Sequence, residues 1–576
     1  MKKLSCLIIF LALIFFHSCG KKEESKLVEL KGGIKGGGLY KLNELENARS
    51  LDPVGINDNV SHHVAHQIYD LLVDLDSNLK VVPQLATRWE ISEDGLLYTF
   101  HLRKGVMFQD NACFPNGKGR EFNASDVKYS FDRVCDPSTG TLGFDYYKNK
   151  VVGANEFFDE VTVARRESRE PKLNGVAGYI VKDDSTFQIQ LKKSFGPFIY
   201  YLSLGFAYIV PKEAVDKYGK NFFQNPVGTG PFIFVDWKPD LELNLKKNPN
   251  YWDRDAAGNQ LPYLEAAKFK FIKDLSQQML EFRNGNLDEC YRIPNESFKE
   301  VVNPQKSLTP EYTKFVLQRV PALADQFYGF LTTGKVFNNE KVRQAFNYAI
   351  DRDKIMKFVL NGQGDTTGIY GVVPPAMPDY DFKKIKGYTF DLTKAKELME
   401  EAGFPNGKGF PEAVLQINSG GDRNTQIAES IQNMLKEIGV NMKLNIIQFA
   451  QHLDNIDAGR ADFYRLGWIA DYPDPENFLN LFYGKNAPKD PKAISPINST
   501  RFQDPKYDEI FEKAISTVDQ AARYELYYQA EQIAISQAPL MVIFYDEDYR
   551  LLQSYVKGYP LNAMHRVDFR HLWLDK

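Results

Sequence analysis

Cysteine is scarce in this chain of 576 residues: five in all, and after Cys19 only Cys113, Cys135 and Cys290. An odd trio without a Cys-x-x-Cys pair excludes a disulfide framework and a cysteine-rich metal site. Only Cys113 with Cys135 leaves a bridge open in an oxidising compartment. An excess of one charge is also missing. A formal net charge of -4 offers no field for a polyanion, which excludes nucleic acid as a partner. Beyond the first twenty residues no apolar run reaches membrane-spanning length without charges. Catalytic signatures are absent as well: no HExxH zinc pair, no GxSxG elbow and no Walker loop. Adjacent acids such as Glu400 and Glu401 face different sides of a helix and make no acid/base pair. The chain reads as a binding protein, not an enzyme, with no cofactor or metal of its own.

What is present begins at the amino terminus. Met1, Lys2 and Lys3 give a positive start, and Leu7 to Phe16 form an unbroken apolar run. That run has the length of a signal-peptide core and falls short of the roughly 20 residues a spanning helix needs. It ends in His17-Ser18-Cys19-Gly20, and polarity resumes with Lys21-Lys22-Glu23-Glu24. This junction resembles the lipobox of bacterial lipoproteins, in which the leader is cut before a cysteine that then carries a diacylglycerol. It departs from the common pattern at Phe16 and His17, where Leu or Val and a small residue are usual. The resemblance implies a signal peptide over 1–18 and lipidation at Cys19. Residues 20 to 36 are polar and glycine-rich, reading as a flexible tether, with order expected from about Leu39.

The remainder is too long for one compact domain, so at least two lobes are expected. Period-two alternation marks strands at Leu97–Leu102, Thr186–Leu191 and Leu241–Leu245. Lys341 to Val359 reads as one helix, with Val342, Phe346, Ala349, Ile350 and Ile355 at helical spacing. Thr393–Ala402 and Ile427–Ile438 are further helices, ended by Gly403 and Gly439, and the second feeds a strand over Val440–Ile447. A last helix, Gln520–Ser536, precedes the apolar strand Leu540–Phe544. Helix-then-strand units point to α/β lobes.

Eight blocks then coincide, in order, with one family. They include Ser50-Leu51-Asp52-Pro53, Pro83-Gln84-Leu85-Ala86-Thr87-Arg88-Trp89 and Phe100 to Phe108 (FHLRKGVMF). Asn123 to Phe131 (NASDVKYSF), Gly228-Thr229-Gly230-Pro231-Phe232 and Asn248-Pro249-Asn250-Tyr251-Trp252 continue the series. Val342-Arg343-Gln344-Ala345-Phe346 and the stretch from Asp391 to Phe404 carry it into the second lobe. The chain resembles the extracellular solute-binding proteins of peptide and nickel ABC transporters, family 5. The resemblance implies a two-lobed α/β fold of the type II periplasmic-binding kind, with an additional domain inserted in the first lobe. It also implies lobe I over 39–71, the extra domain over 72–185, and lobe I again over 186–326. Lobe II over 327–537 and a C-terminal return to lobe I over 538–576 complete the division, after the 19–38 tether. The expected working partners are a short peptide, a membrane permease and, through the lipid, a membrane; the protein itself is expected to be a monomer.

The segment Ala461 to Asn480 (ADFYRLGWIADYPDPENFLN) carries the candidate site. In peptide-binding members a similar stretch enters the cleft, and its aspartate pairs with the peptide's α-amino group; the matching residue is Asp471. On spacing alone Asp471 is better read as a cap for the turn Asp471-Tyr472-Pro473-Asp474-Pro475, and the resemblance reverses that preference. Arg465, three residues before Trp468, matches an arginine that meets a ligand carboxylate in some oligopeptide binders; a salt bridge between lobes is its alternative. Trp468 and Tyr472 are expected to line the cleft. His62 and His66 share a helix face at i, i+4, but no acid or cysteine stands at helpful spacing, so they read as a solvated pair rather than a metal site. Relatives of this fold also take oligosaccharide, nickel or haem-like cargo, and a surface lipoprotein serving adhesion or assembly is the alternative outside transport. Lysine and glutamate after Cys19 resemble surface-export signals, leaving cell-surface display open beside a periplasmic location.

Overall fold

The computed structural model describes residues 27–419, 422–490 and 493–576. The leader and Cys19 lie outside the described residues. Order begins earlier than Leu39. Val28–Glu29 pairs with Lys35–Gly36 around a turn at Gly32 and Gly33, both with positive φ, and Gly37 N–H donates to Tyr263 O at 2.7 Å. The glycines that suggested a flexible tether are here the turn of a hairpin docked on the body.

In strand β1 (Leu39–Glu44) the alternating Tyr40 and Leu42 are buried. Helix α1 (Asn59–Ile68) is capped by Asp58, whose carboxylate accepts from Ser61 N–H at 2.8 Å. Four strands then build a separate antiparallel sheet: β2 (Ala86–Ile91), β3 (Leu97–Leu102), β4 (Tyr179–Asp183) and β5 (Thr186–Gln190), ordered β2-β3-β5-β4. Helix α2 (Ala124–Val134), with a capping box between Asn123 and Asp126, lies between β3 and β4 in sequence and packs Phe131 against Phe187. The chain next forms β6 (Phe232–Lys238), β7 (Glu242–Lys247) and β8 (Ala266–Phe271), and β8 closes the sheet beside β1 in parallel.

A seven-stranded sheet forms the second lobe and reaches back to the first. Its members are β9 (Glu289–Tyr291), β10 (Phe315–Phe330), β11 (Thr366–Thr367), β12 (Ala413–Asn418), β13 (Met442–Ile447), β14 (Phe463–Ile469) and β15 (Leu540–Gln553). Their order is β9-β15-β10-β14-β12-β13, with β11 on β15. Helices α3 (Glu340–Ala349), α4 (Leu392–Glu401) and α5 (Asp422–Lys436) cover one face through Phe346, Ala395 and Ile431; α6 (Gln520–Ser536) covers the other through Tyr527 and Ala534. The single helix expected over Lys341–Val359 is interrupted. Ile350 is extended (φ -96, ψ 115), and Asp351 restarts a new turn by accepting from Lys354 N–H at 3.0 Å. A capping aspartate outweighs the continuous apolar period.

One pairing left open by the sequence is decided, and one further expectation changes. Cys113, Cys135 and Cys290 are all free, so no bridge forms. His62 and His66 are not a solvated pair: His62 is half-buried against Tyr208, ring centroids 5.7 Å apart, and His66 is buried with its Nε2 3.1 Å from Asp74 Oδ2, while the neighbouring His63 Nδ1 lies 2.7 Å from Glu44 Oε1. The C-terminal segment covers them, with Val567 O 3.1 Å from His66 Nδ1. Among the described residues no cluster of three or more His, Cys, Asp or Glu could hold a metal ion.

Candidate functional site

Two long strands, β10 and β15, run from lobe I into lobe II. Val316 to Pro321 of β10 pair with Glu547 to Leu552, the register breaks, and Asp325 to Gly329 pair with Tyr545 to Leu540. Pro321 has no N–H for the ladder, so the break falls where pairing is weakest. The bulged Leu323 donates to Ala563 O of the C-terminal segment at 2.8 Å and accepts from Ala470 N–H at 2.9 Å. Lobe I, the crossing strands and the end of β14 therefore meet at one point.

A cavity of about 1020 Å³ opens there. Tyr291 and His565 line it from lobe I, Gln326 and Asp546 from the crossing strands, and Arg423 and Arg465 from lobe II. The volume is at the upper end of what small-molecule clefts enclose.

Arg465, on β14, lines this cavity. Its Nη1 donates to Asn418 Oδ1 at 3.2 Å and its Nη2 to Gln326 Oε1. Gln326 in turn donates to Asp546 Oδ2 at 2.7 Å, and Arg423 pairs with Asp546 Oδ1 at 3.3 Å. Arg465 thus has amide partners, while the nearby carboxylate is taken by Arg423. Burial holds its pKa below the usual arginine value, opposed in part by Tyr328 and Asp546. A desolvated guanidinium without its own carboxylate favours an incoming anion.

Asp471 lies two residues beyond Ile469, which lines the cavity. Its backbone N–H reaches Asn477 Oδ1 at 3.3 Å, and Tyr146 Oη donates to its Oδ2 at 3.5 Å. Among the described residues no cation forms an ion pair with it. The residue keeps solvent-facing surface, yet protein on several sides raises its pKa above the ordinary aspartate value; Asn477 and Tyr146 offset part of that. The turn is capped not by Asp471 but by Asp474, whose Oδ1 accepts from Glu476 N–H at 3.0 Å. Asp474 Oδ2 pairs with Arg523 of α6 at 3.0 Å, pinning the turn to lobe II.

Of the four expected contacts, only Arg465 lines the cavity directly. Trp468 is half-buried, its Nε1 donating to Asn477 Oδ1 at 2.8 Å and its backbone N–H to Asp325 Oδ1 at 3.1 Å. Tyr472 is buried: it donates to Glu476 Oε2 and packs edge-on against Tyr201, ring centroids 5.1 Å apart. The residues missed from sequence are Tyr146, Asn418, Arg423, Gln326 and Asn477. Arg423 and Asn477 sit near recognisable stretches. Tyr146 arrives from 325 positions away, and no local pattern marks it.

The profile described as bacterial extracellular solute-binding proteins, family 5 middle, matches residues 80–490. The chain is 31% identical over 517 residues to heme-binding protein A of Haemophilus influenzae, covering 88% of this chain and 87% of that one. It is 28% identical over 516 residues to the dipeptide-binding protein of Escherichia coli, covering 88% and 89%. Among solved structures, the periplasmic binding protein DppA of Helicobacter pylori, in complex with the peptide STSA, superposes with a TM-score of 0.72 at 30% identity. That match covers 94% of this chain and 99% of the other. With its two lobes, its interlobe cavity and this profile match, the chain belongs to the bacterial extracellular solute-binding proteins of family 5, binding components of ABC importers rather than enzymes.

Proposed function

We propose that the protein captures short peptides by their free amino terminus in the interlobe cleft and hands them to a membrane permease. The observation that carries this reading is Asp471, a carboxylate two residues beyond the cavity-lining Ile469 that has no ion-pair partner among the described residues. An ammonium placed beside it replaces part of the solvation the site has lost, and Tyr146 helps orient the acceptor oxygen. Arg465, with amide partners rather than a carboxylate of its own, offers its guanidinium to a carbonyl or carboxylate oxygen of the same cargo, so the site suits a zwitterionic main chain. Trp468 and Tyr472 support the turn from behind. Cys19 carries the lipid that holds a monomeric protein at the membrane. The inserted domain takes in the sheet β2-β3-β5-β4, lobe I the chain on either side of it together with the C-terminal segment, and lobe II the region beyond the crossing, with β10 and β15 passing between the lobes.

Charged hydrogen bonds of this kind contribute roughly 1.5–3 kcal/mol. Asp471→Asn should therefore weaken a bound tripeptide by about 10- to 150-fold in calorimetry. Unchanged affinity would remove Asp471 from the site.

A second reading, a large planar cargo of haem type, is favoured by the relative that bears that name and by Tyr291, Phe327 and Tyr549 on the cavity wall. Titration with haemin separates the two: a saturable shift of its absorbance band supports the planar cargo.

A further inference from the structure

The cavity does not stop at Arg465. The sheet order β9-β15-β10-β14 sets three strand spacings between β14 and the outer side of β15, about 14 Å at about 4.8 Å each. On that outer side stand Asn295, just past β9, and Gln363, just before β11; both line the cavity. His565 stands with them, stacked on Tyr291 at the end of β9 with ring centroids 3.4 Å apart. Asn295 Oδ1, Gln363 Nε2 and His565 Nε2 are shielded from water and have no hydrogen-bond partner among the described residues. Buried polar atoms are paired in the great majority of cases, so three orphans on one wall of one cavity need a cause.

A second feature coincides with them. Arg292, Asn361 and His565, all lining the cavity, hold left-handed backbone with φ of 61, 54 and 49. Residues other than glycine adopt that region at a cost and persist there where surrounding structure enforces it, often at ligand clamps.

We infer that this wall is the far-end contact of the cargo, and that the cargo is a peptide of about four residues or more rather than a dipeptide. The inference rests on the peptide reading above. An acceptor on Asn295 and a donor on Gln363 are the two complements of one peptide group, N–H and C=O. Rotation about the last side-chain bond turns either amide into the cavity. Arg292, at the same end, offers a guanidinium to the terminal carboxylate. Length follows from reach. Two extended residues span at most about 7 Å, short of the three strand spacings that separate β14 from this wall, whereas it takes at least four, spanning about 14 Å, to cover them.

The test is a calorimetric series of di-, tri-, tetra- and pentaalanine with free termini, run on the full chain, on Asp471→Asn and on Asn295→Ala/Gln363→Ala. The expected result is tetraalanine binding at least tenfold tighter than dialanine. The double variant should bring that preference below about threefold. Dialanine binding as tightly as tetraalanine, with Asp471→Asn still weakening it, would overturn the length inference and leave the amine anchor standing. A length preference that survives in the double variant would overturn the assigned contacts. Absence of binding at every length would overturn the peptide reading, and this inference with it.

Discussion

Three carboxylates stand within six residues, and their settings differ. Asp474 is buried and paired with Arg523. Glu476 is 5% exposed, shares the Tyr472 hydroxyl, and is pushed up to about 7, first by burial and then by Asp474. Asp471 keeps solvent-facing surface two residues past the cavity-lining Ile469, and the protein packed around it raises its pKa. For Glu476 the folded value lies above the ordinary 4.5. The folded state therefore binds the proton more tightly than the unfolded chain. That contribution to stability is complete below pH 4.5 and is lost as pH rises through about 7. It amounts to up to about 3 kcal/mol. Glu476→Gln, uncharged at every pH, should flatten the fall in urea midpoint between pH 5 and pH 8; an undiminished fall would show that Glu476 ionises freely. For Asp471 the same direction acts on binding. Protonating it removes the attraction for an ammonium, so peptide affinity should drop on acidification, and Asp471→Asn should lose that pH dependence.

At the scale of elements, the Gly228-Thr229-Gly230-Pro231 turn lies against the end of α1. A Cβ on Gly228 would meet Ile68 O at 2.3 Å, and one on Gly230 would meet Ile68 C at 2.5 Å. Neither glycine needs positive φ; close backbone approach is what excludes a side chain. Gln109 ties the same junction, its Nε2 donating to Ile68 O at 3.1 Å and Phe232 O at 2.7 Å. Gly230→Ala should destabilise the protein by about 1–3 kcal/mol, the usual cost of overpacking, read as a lowered denaturant midpoint with an unchanged slope. The elements legible in sequence are those with a strong local signal. α4 ends where Gly403 predicts, and β3, β5 and β7 follow their alternation. The break at Ile350 was hidden because the apolar period runs straight through it. The burial of His63 and His66 was hidden because their cover, the segment around Val567, lies about 500 residues downstream. In the same way Arg465 stands out on its own strand, but the Gln326–Asp546–Arg423 network is assembled by sheet order, which local spacing does not encode.

For the whole molecule, the crossing strands connect recognition to motion. The register break between Pro321 and Asp325 and the contacts of Leu323 with Ala563 and Ala470 place the least regular pairing between the lobes, where a hinge would act. A cargo touching Asp471 and Arg465 on lobe II and the Tyr291–His565 wall on lobe I favours the closed arrangement by bridging both, since a ligand shifts the equilibrium only by its differential contacts. No described helix is long and apolar enough to cross a membrane. Everything then turns on whether the cleft reads a free amine. The most direct measurement compares one tetrapeptide with its N-acetylated form in calorimetry against the full chain. Acetylation removes the charge and leaves the rest of the peptide in place. The account predicts at least a tenfold loss of affinity on acetylation, and little difference between the two peptides in Asp471→Asn. Equal affinity of the unmodified protein for both peptides would contradict it.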